Sequence, residues 1–409
     1  MKLKINVFNM GIVLMSIYIF MTYNAMNLII PMSFLTPMLI VFLAWGILTM
    51  VTAREKLKLT TYTAWYICFM ILSILIMTYS PEFSIFTGEF YLMIVSFMLT
   101  FFFQLFVRSE KTFDLICWVY ALSSAILVIS LIFTGNMIAD ANNRLGLDIM
   151  GNANTFAGML MVGVMYAIWL LIYNKNTVFE IVLLCAVIIL DYYALIFSAG
   201  RKFFLLPIIF LYIQLLYRKD KAGRRHIIKY TLFIGIIVAV IIYMLISVPV
   251  FYETIGYRFE TLIMGYLGMA EQGASAALRE TLQEIAIDKW LSSPIWGYGF
   301  DSFKYYSQDV TGAFIYSHCN FTELLYNGGI IYFFAYYSIY WIVFKKIFFE
   351  KLGKIKHQAF AVGVMISFLI FDYGGVSYSI ANLQCMMALA LSALNLKPQI
   401  TKEVRYIHE

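Results

Sequence analysis

Residues 178–217 read VFEIVLLCAVIILDYYALIFSAGRKFFLLPIIFLYIQLLY, two apolar runs, Val178–Phe197 and Phe203–Tyr217, joined by the five residues SAGRK. A helix rises 1.5 Å per residue, so roughly 20 apolar residues cross a hydrocarbon core ~30 Å thick. The runs are apolar on every face, whereas strands of a membrane barrel alternate in polarity over about ten residues. The stretch therefore predicts two membrane-spanning helices meeting at a tight corner that carries Arg201 and Lys202.

The same pattern extends in both directions. Of the 409 residues, 62% are hydrophobic and 13% charged, against about 25% charged in a soluble domain. The expected fold is all-α, a polytopic membrane helix bundle forming a single integral membrane domain over residues 1–409. Twelve spans are predicted: Phe8–Tyr23, Asn27–Val51, Thr61–Tyr79, Phe90–Val107, Leu115–Phe133, Thr155–Tyr173, Val178–Phe197, Phe203–Tyr217, Ile227–Pro249, Phe321–Phe344, Ala359–Phe371 and Val376–Leu396. The eighth and eleventh are short and should extend into flanking residues. The first follows Lys2 and Lys4 with no small-residue cleavage site after it, so it is expected to be a retained helix.

Charge orients this topology. Of the 29 Lys and Arg residues, 22 fall on the face that holds both termini and 7 on the other, namely Arg144, Arg201, Lys202, Arg258, Arg279, Lys289 and Lys304. Positive residues concentrate in the cytoplasm, which predicts cytoplasmic termini and makes the seven exceptions candidates for function. The net charge of +6 sits in short loops between spans, where it reads as topology signals and contacts to anionic lipid heads and not as a nucleic-acid surface. Four of the five cysteines fall inside spans, leaving Cys319 alone in an external loop without a disulfide partner.

Three external segments are more than turns: Thr134–Asn154, the SAGRK corner, and residues 250–320, an extracytoplasmic loop inserted between spans nine and ten. Loops of that length are usually functional. In the longest, Leu278, Leu282, Ile285 and Trp290 recur at helical spacing among charged residues, predicting an amphipathic helix on the membrane surface. Pro294, Gly297 and Gly299 then mark a bend.

Several side chains could carry chemistry. Arg201 could snorkel to lipid phosphates, but a second adjacent cation favours an anion site, because a guanidinium fork matches phosphate oxygens and Lys adds a point charge. Arg279 either makes exposed contacts with Glu280 and Glu284 or joins that site. Arg258 could pair with Glu260 or lipid. His318 is the one external histidine. Its proton affinity suits a general base, and Asn320 and Glu323 follow it closely enough to orient it. Asp191, deep in the seventh span, is costly unless paired and should bond a neighbouring Tyr or Ser. No metal-ligand spacing, phosphate-cradling Gly-rich loop or GxSxG elbow is evident.

Four segments carry a resemblance: RLGLDIMGNANTFAGML, FSAGRKFFLL, LRETLQEIAIDKWLSSPIWGYGFDSF and SHCNFTELLYNGGIIYF. In order and spacing they resemble the bacterial O-antigen ligase and O-antigen or capsular polysaccharide polymerase family over the middle and C-terminal two thirds of the chain. The N-terminal third matches in hydropathy alone. The resemblance implies a GT-C-like, multi-pass bundle in the bacterial cytoplasmic (inner) membrane, with its active site facing outside. It implies a metal-independent, cofactor-free glycosyltransferase acting on undecaprenyl-diphosphate-linked oligosaccharide as donor and acceptor, in contact with membrane lipids and alongside a chain-length regulator and a flippase. On this reading Arg201, Arg279 and His318 are catalytic, and Lys202, Arg144, Arg258, Asn320 and Glu323 bind substrate. The family usually has asparagine directly after the histidine, where this chain has Cys319. A polymerase is the favoured reading, with a ligase or a lipid-linked oligosaccharide flippase as alternatives.

Overall fold

The computed structural model describes residues 7–25, 30–52, 59–85, 88–137, 144–147, 152–218, 226–269 and 274–396. Every regular element among them is helical, in chain order α1 Val7–Asn24, α2 Leu35–Thr52, α3 Thr61–Met77, α4 Gly88–Phe106, α5 Glu110–Phe133, α6 Ala153–Tyr173, α7 Val178–Ser198, α8 Arg201–Tyr217, α9 Ile227–Ser247, α10 Tyr257–Tyr266, α11 Ala274–Trp290, α12 Phe303–Thr311, α13 Asn320–Phe348, α14 Ile355–Asp372 and α15 Ala381–Leu394. A short turn at Pro249–Phe251 and a π-turn at Tyr252–Gly256 join α9 to α10.

Each expected span falls on one of these helices, and nine of the described helices are long and apolar enough to cross a membrane. Helices α3 and α15 are shorter apolar helices. The helices over the eighth and eleventh expected runs begin ahead of them, at Arg201 and Ile355; α14 is among the nine of membrane length and α8, at 17 residues, is not. The termini and the basic loop residues Arg54, Lys56, Lys58, Lys219, Lys221, Arg224 and Arg225 behind the orientation argument, together with residues 138–143 and 148–151 of the Thr134–Asn154 loop, lie outside the described residues.

Polar caps set where the apolar runs begin. Ser109 and Thr112 form a capping box that opens α5, and Thr177 and Glu180 form another at the start of α7. Each cap satisfies backbone N–H groups that the helix leaves open and contributes about 1 kcal/mol.

Helix α6 lies at the centre, packed by α5, α7 and α8, and α8 in turn packs on α14. Lipid is as apolar as Leu, so close packing and interhelical hydrogen bonds hold such bundles, with small residues at the contacts. Gly163 of α6 is one such contact. A Cβ there would come 2.0 Å from Ser124 Oγ and 3.1 Å from Asp191 Oδ2. The space lets the Ser124 hydroxyl donate to Asp191 at 2.6 Å, the structural bond expected of that buried carboxyl. In contrast, α9 buries Leu245 alone. Its exposed Ile228, Ile236 and Ile246 belong to a surface far too apolar for water and suited to hydrocarbon.

Helix α13 departs from the expected continuous span. Its backbone leaves helical geometry at Gly328 (φ −135°) and Gly329 (φ +65°, ψ −164°). The segment PIWGYG fills the break. Ile330 N–H donates to Pro294 O at 2.9 Å, while Tyr326 O and Asn327 O accept from Tyr298 N–H (2.9 Å) and Gly299 N–H (2.8 Å). Any Cβ on Gly329 would lie 2.2 Å from Ile295 O, so glycine is obligatory. Interrupting the helix thus creates the partners that fasten the long loop to the bundle.

Candidate active site

The fastened loop aims α11 at the start of α13. Leu282 and Ala286 are fully buried with Phe303 and Tyr326, and Ile285 packs beside them, whereas Leu278 stays 41% exposed. The apolar stripe expected to face lipid is therefore mainly a protein-packing face, because the interrupted α13 offers an aromatic surface that the sequence pattern could not reveal. This docking carries Arg279 to the end of the bundle where α7 turns into α8.

That turn is built from Ala199 in the left-handed region (φ +52°) and from the stretch before α6. Leu145 N–H donates to Phe197 O at 3.0 Å, Arg144 Nε donates to Ser198 O at 2.8 Å, and Arg144 Nη2 donates to Asn154 Oδ1 at 3.0 Å. From the first residue of α8, Arg201 Nη1 donates to Arg258 O at 2.6 Å. Glu260, the partner expected for Arg258, is engaged by the Tyr252 hydroxyl at 2.5 Å. Arg258 instead stands near Arg279, and burial followed by that charge lowers its affinity for a proton. Burial, then the charges of Arg258, Arg279 and Arg201, pulls Arg144 down to about 10. Four guanidiniums from four parts of the chain thus share one neighbourhood. Arg201 and Lys202 also sit at a helix N-terminus, whose dipole already favours an anion. Such a concentration of like charge is unfavourable by itself and is relieved by an anion.

Lys202 takes a different course. Its Nζ donates to Gly374 O at 2.5 Å and lies 3.9 Å from the centre of the Phe371 ring. The same Gly374–Gly375 turn accepts Asn320 N–H at Gly375 O, 3.0 Å away. Lys202 therefore braces the turn opposite the start of α13 while remaining close enough for its charge to act on His318.

His318 precedes α13 in the left-handed region at φ +59°, a conformation that costs a side-chain-bearing residue about 1–3 kcal/mol and persists where neighbours impose it. The neighbours are specific. Glu323, 2% exposed, accepts Ser317 N–H at 2.8 Å and Asn327 Nδ2 at 3.3 Å, and Ser317 Oγ donates to Cys319 O at 2.9 Å. The half-buried imidazole lies 4.3 Å from the Tyr316 ring. Burial, then Arg279 and Lys202, pushes its pKa down to about 4, so it is neutral at pH 7 and able to accept a proton.

Asn320 is fully buried, and its amide is turned inward. Nδ2 donates to Tyr337 Oη (3.0 Å) and Asp372 Oδ2 (3.3 Å), and Oδ1 accepts Ser377 N–H (3.2 Å). Asn320 and Glu323 are thus placed to hold the His318 turn, and substrate would reach neither directly. Sequence reasoning missed Asp372. It also accepts the Tyr337 hydroxyl at 2.9 Å and is buried, with Oδ1 lacking a hydrogen-bond partner. The available signal was a carboxylate ending an apolar span, a costly placement that usually marks a site. Among the described residues, no group of three His, Cys, Asp or Glu side chains is placed to hold a metal.

A polytopic helical membrane protein with a neutral histidine beside converging arginines is the class that fold and site define. Residues 184–337 match the family model described as O-antigen ligase. The matched span contains Arg201, Lys202, Arg258, Arg279, His318, Asn320 and Glu323, and it supports the O-antigen ligase and polymerase-like family, membrane enzymes of glycosyltransferase type. A comparison with curated proteins finds no match.

Proposed function

We propose that the chain is a polysaccharide polymerase that moves a glycan from an undecaprenyl-diphosphate-linked donor to the terminal sugar of a lipid-linked repeat unit. The observation that carries this reading is the convergence of Arg144, Arg201, Arg258 and Arg279, with Arg279 and Lys202 acting on a neutral His318. A diphosphate is a good leaving group, so the protein has to stabilise the charge growing on it and remove a proton from the attacking hydroxyl. Arg201 and Arg279 grip the diphosphate, with Arg144 and Arg258 completing the field. Lys202 adds charge and braces the turn. His318 accepts the hydroxyl proton as oxygen attacks the anomeric carbon and the carbon–diphosphate bond breaks, which inverts configuration without a covalent enzyme intermediate. Asn320, Glu323 and Asp372 hold the imidazole in place. The distribution of Lys and Arg supports twelve crossings, cytoplasmic termini, and a site at the outer leaflet of a bacterial inner membrane.

The family description favours one second reading, a ligase that passes the finished chain to another acceptor. Lipid-linked products from cells carrying His318→Ala separate the two. A polymerase defect leaves single repeats on the lipid, and a ligase defect leaves long lipid-linked chains. Purified protein given lipid-linked repeats should elongate them in the presence of a chelator, and His318→Ala should abolish elongation. Elongation by a normally inserted His318→Ala protein would overturn the mechanism.

A further inference from the structure

Residues 291–296 lead from α11 into the break of α13, and among them Leu291, Ile295 and Trp296 are each more than half exposed. Two helices set the height of this turn. Beyond the break, residues 330–348 of α13 carry Lys345 and Lys346 in their last turn and run about 28 Å at 1.5 Å per residue, close to the thickness of a hydrocarbon core. Lysines at the end of such a run mark one aqueous boundary, which leaves Ile330 at the other. Ile330 N–H is the group that donates to Pro294 O, at 2.9 Å. Helix α3 ends at Met77, and Tyr79, just past that end, donates its hydroxyl to Trp296 O at 2.6 Å. The turn therefore lies level with the ends of two apolar helices, on the side of the bundle that holds His318.

The surface next to it is apolar as well. Helices α3 and α13 pack together, and Ile71 and Leu75 of the first and Ile331 and Phe334 of the second are exposed, so the turn continues a surface suited to hydrocarbon. It also meets the demand that lipid makes of irregular backbone, that polar groups be bonded within the protein. Pro294 O accepts from Trp290 Nε1 at 3.0 Å in addition to Ile330 N–H, Trp296 O accepts from Tyr79, and Gly297 O accepts from Ser293 Oγ at 3.0 Å. Indole and phenol rings, apolar in body with one polar edge, concentrate at the level where headgroups meet acyl chains.

We propose that Leu291, Ile295 and Trp296 insert at the boundary between headgroups and acyl chains of the leaflet on the His318 side, so that the bilayer covers this turn. The membrane contact expected of α11 thereby passes to the residues that follow it. Helix α11, with Arg279, gains a second fixed point besides its packing on α13.

The test uses the full-length protein labelled with 5-fluorotryptophan, in lipid nanodiscs, read by fluorine NMR. The chain has 7 tryptophans, and the Trp296 signal is the one that Trp296→Phe removes. Trp341, exposed on α13 and about 16 Å along the helix from Ile330, is the reference for the membrane interior and is assigned through Trp341→Phe. Three relaxation agents are compared: phosphatidylcholine with a nitroxide near the glycerol end of its acyl chain, phosphatidylcholine with a nitroxide near the methyl end, and an aqueous gadolinium chelate. The Trp296 signal should broaden most with the first, and the Trp341 signal most with the second. Ile295→Trp adds a signal at the neighbouring position and should follow Trp296. Broadening of the Trp296 signal by the chelate alone would place the turn in water, and protection from all three agents would place it under a second copy or another protein; either result overturns the proposal. No turnover enters the measurement, so the contact stands or falls apart from the proposed glycosyl transfer.

Discussion

Both ends of the bundle place a histidine among cations, and they handle the charge in opposite ways. At the His357 end, Glu110 lies between Lys354 (2.6 Å) and Lys356 (3.3 Å), and its carboxylate is 3.9 Å from His357 Nε2. Positive and negative charge are matched there within the protein, and the imidazole lies over Trp169, fully buried. At the His318 end, the charges that act on Arg144 are those of Arg258, Arg279 and Arg201, while the buried carboxylates Glu323 and Asp372 accept from Ser317, Asn320 and Tyr337. The His357 cluster contributes to packing, and both His357 ring nitrogens are buried without a hydrogen-bond partner among the described residues. At the other end like charges from four segments gather, an arrangement that an anionic ligand would stabilise.

The comparison is most easily broken at the two histidines. His318→Asn, which keeps a residue tolerant of the left-handed turn, should lower turnover by about 10²–10⁴-fold, the range for loss of a general base. His357→Asn should change the rate per folded molecule by less than about threefold while lowering thermal stability, since it disturbs packing that no substrate touches. Equal rate losses in initial-velocity assays would erase the distinction between the ends.

A smaller effect is expected at the cations. Arg279→Gln should cost about 100-fold in rate, near 3 kcal/mol, by analogy with loss of one donor to a developing negative charge. Lys354→Gln should leave the rate unchanged and remove at most ~1 kcal/mol of stability, because partly exposed ion pairs contribute about that much. Rates and unfolding midpoints of the two variants, measured side by side, sharpen the contrast.

The pH profile carries the smallest effect. With its pKa pushed down to about 4, His318 stays neutral and competent above that pH, and kcat/KM should fall as pH drops through it. Arg279 is one of the charges disfavouring the imidazolium. Arg279→Gln should therefore move the acid limb to higher pH, in addition to lowering the plateau. An acid limb at the same pH in both proteins would separate His318 from the arginine cluster.

Much of this was legible in the chain because a membrane makes hydropathy and charge placement expensive to violate. Runs such as Val178–Phe197 have no alternative to a helix in hydrocarbon, and Arg201, Arg279 and His318 stood out as charges or a base where the topology rule leaves few. What remained hidden depended on contacts between distant segments. The break at Gly328 and Gly329 takes its meaning from the Pro294–Gly299 strap that fills it, and the buried face of α11 from the aromatic surface that strap exposes. Asn320 and Glu323 read as substrate ligands until their partners, Asp372, Tyr337 and Ser317, came into view.

The sequence by itself determined an all-helical membrane bundle and singled out a few cations and one histidine for attention, because local composition alone decides which segments lipid accepts. Tertiary structure alone decided that four arginines from separate segments meet and that Asn320 and Glu323 face inward. Those outcomes depend on distances between residues far apart in the chain, and electrostatic energy follows distance in space, not separation in sequence.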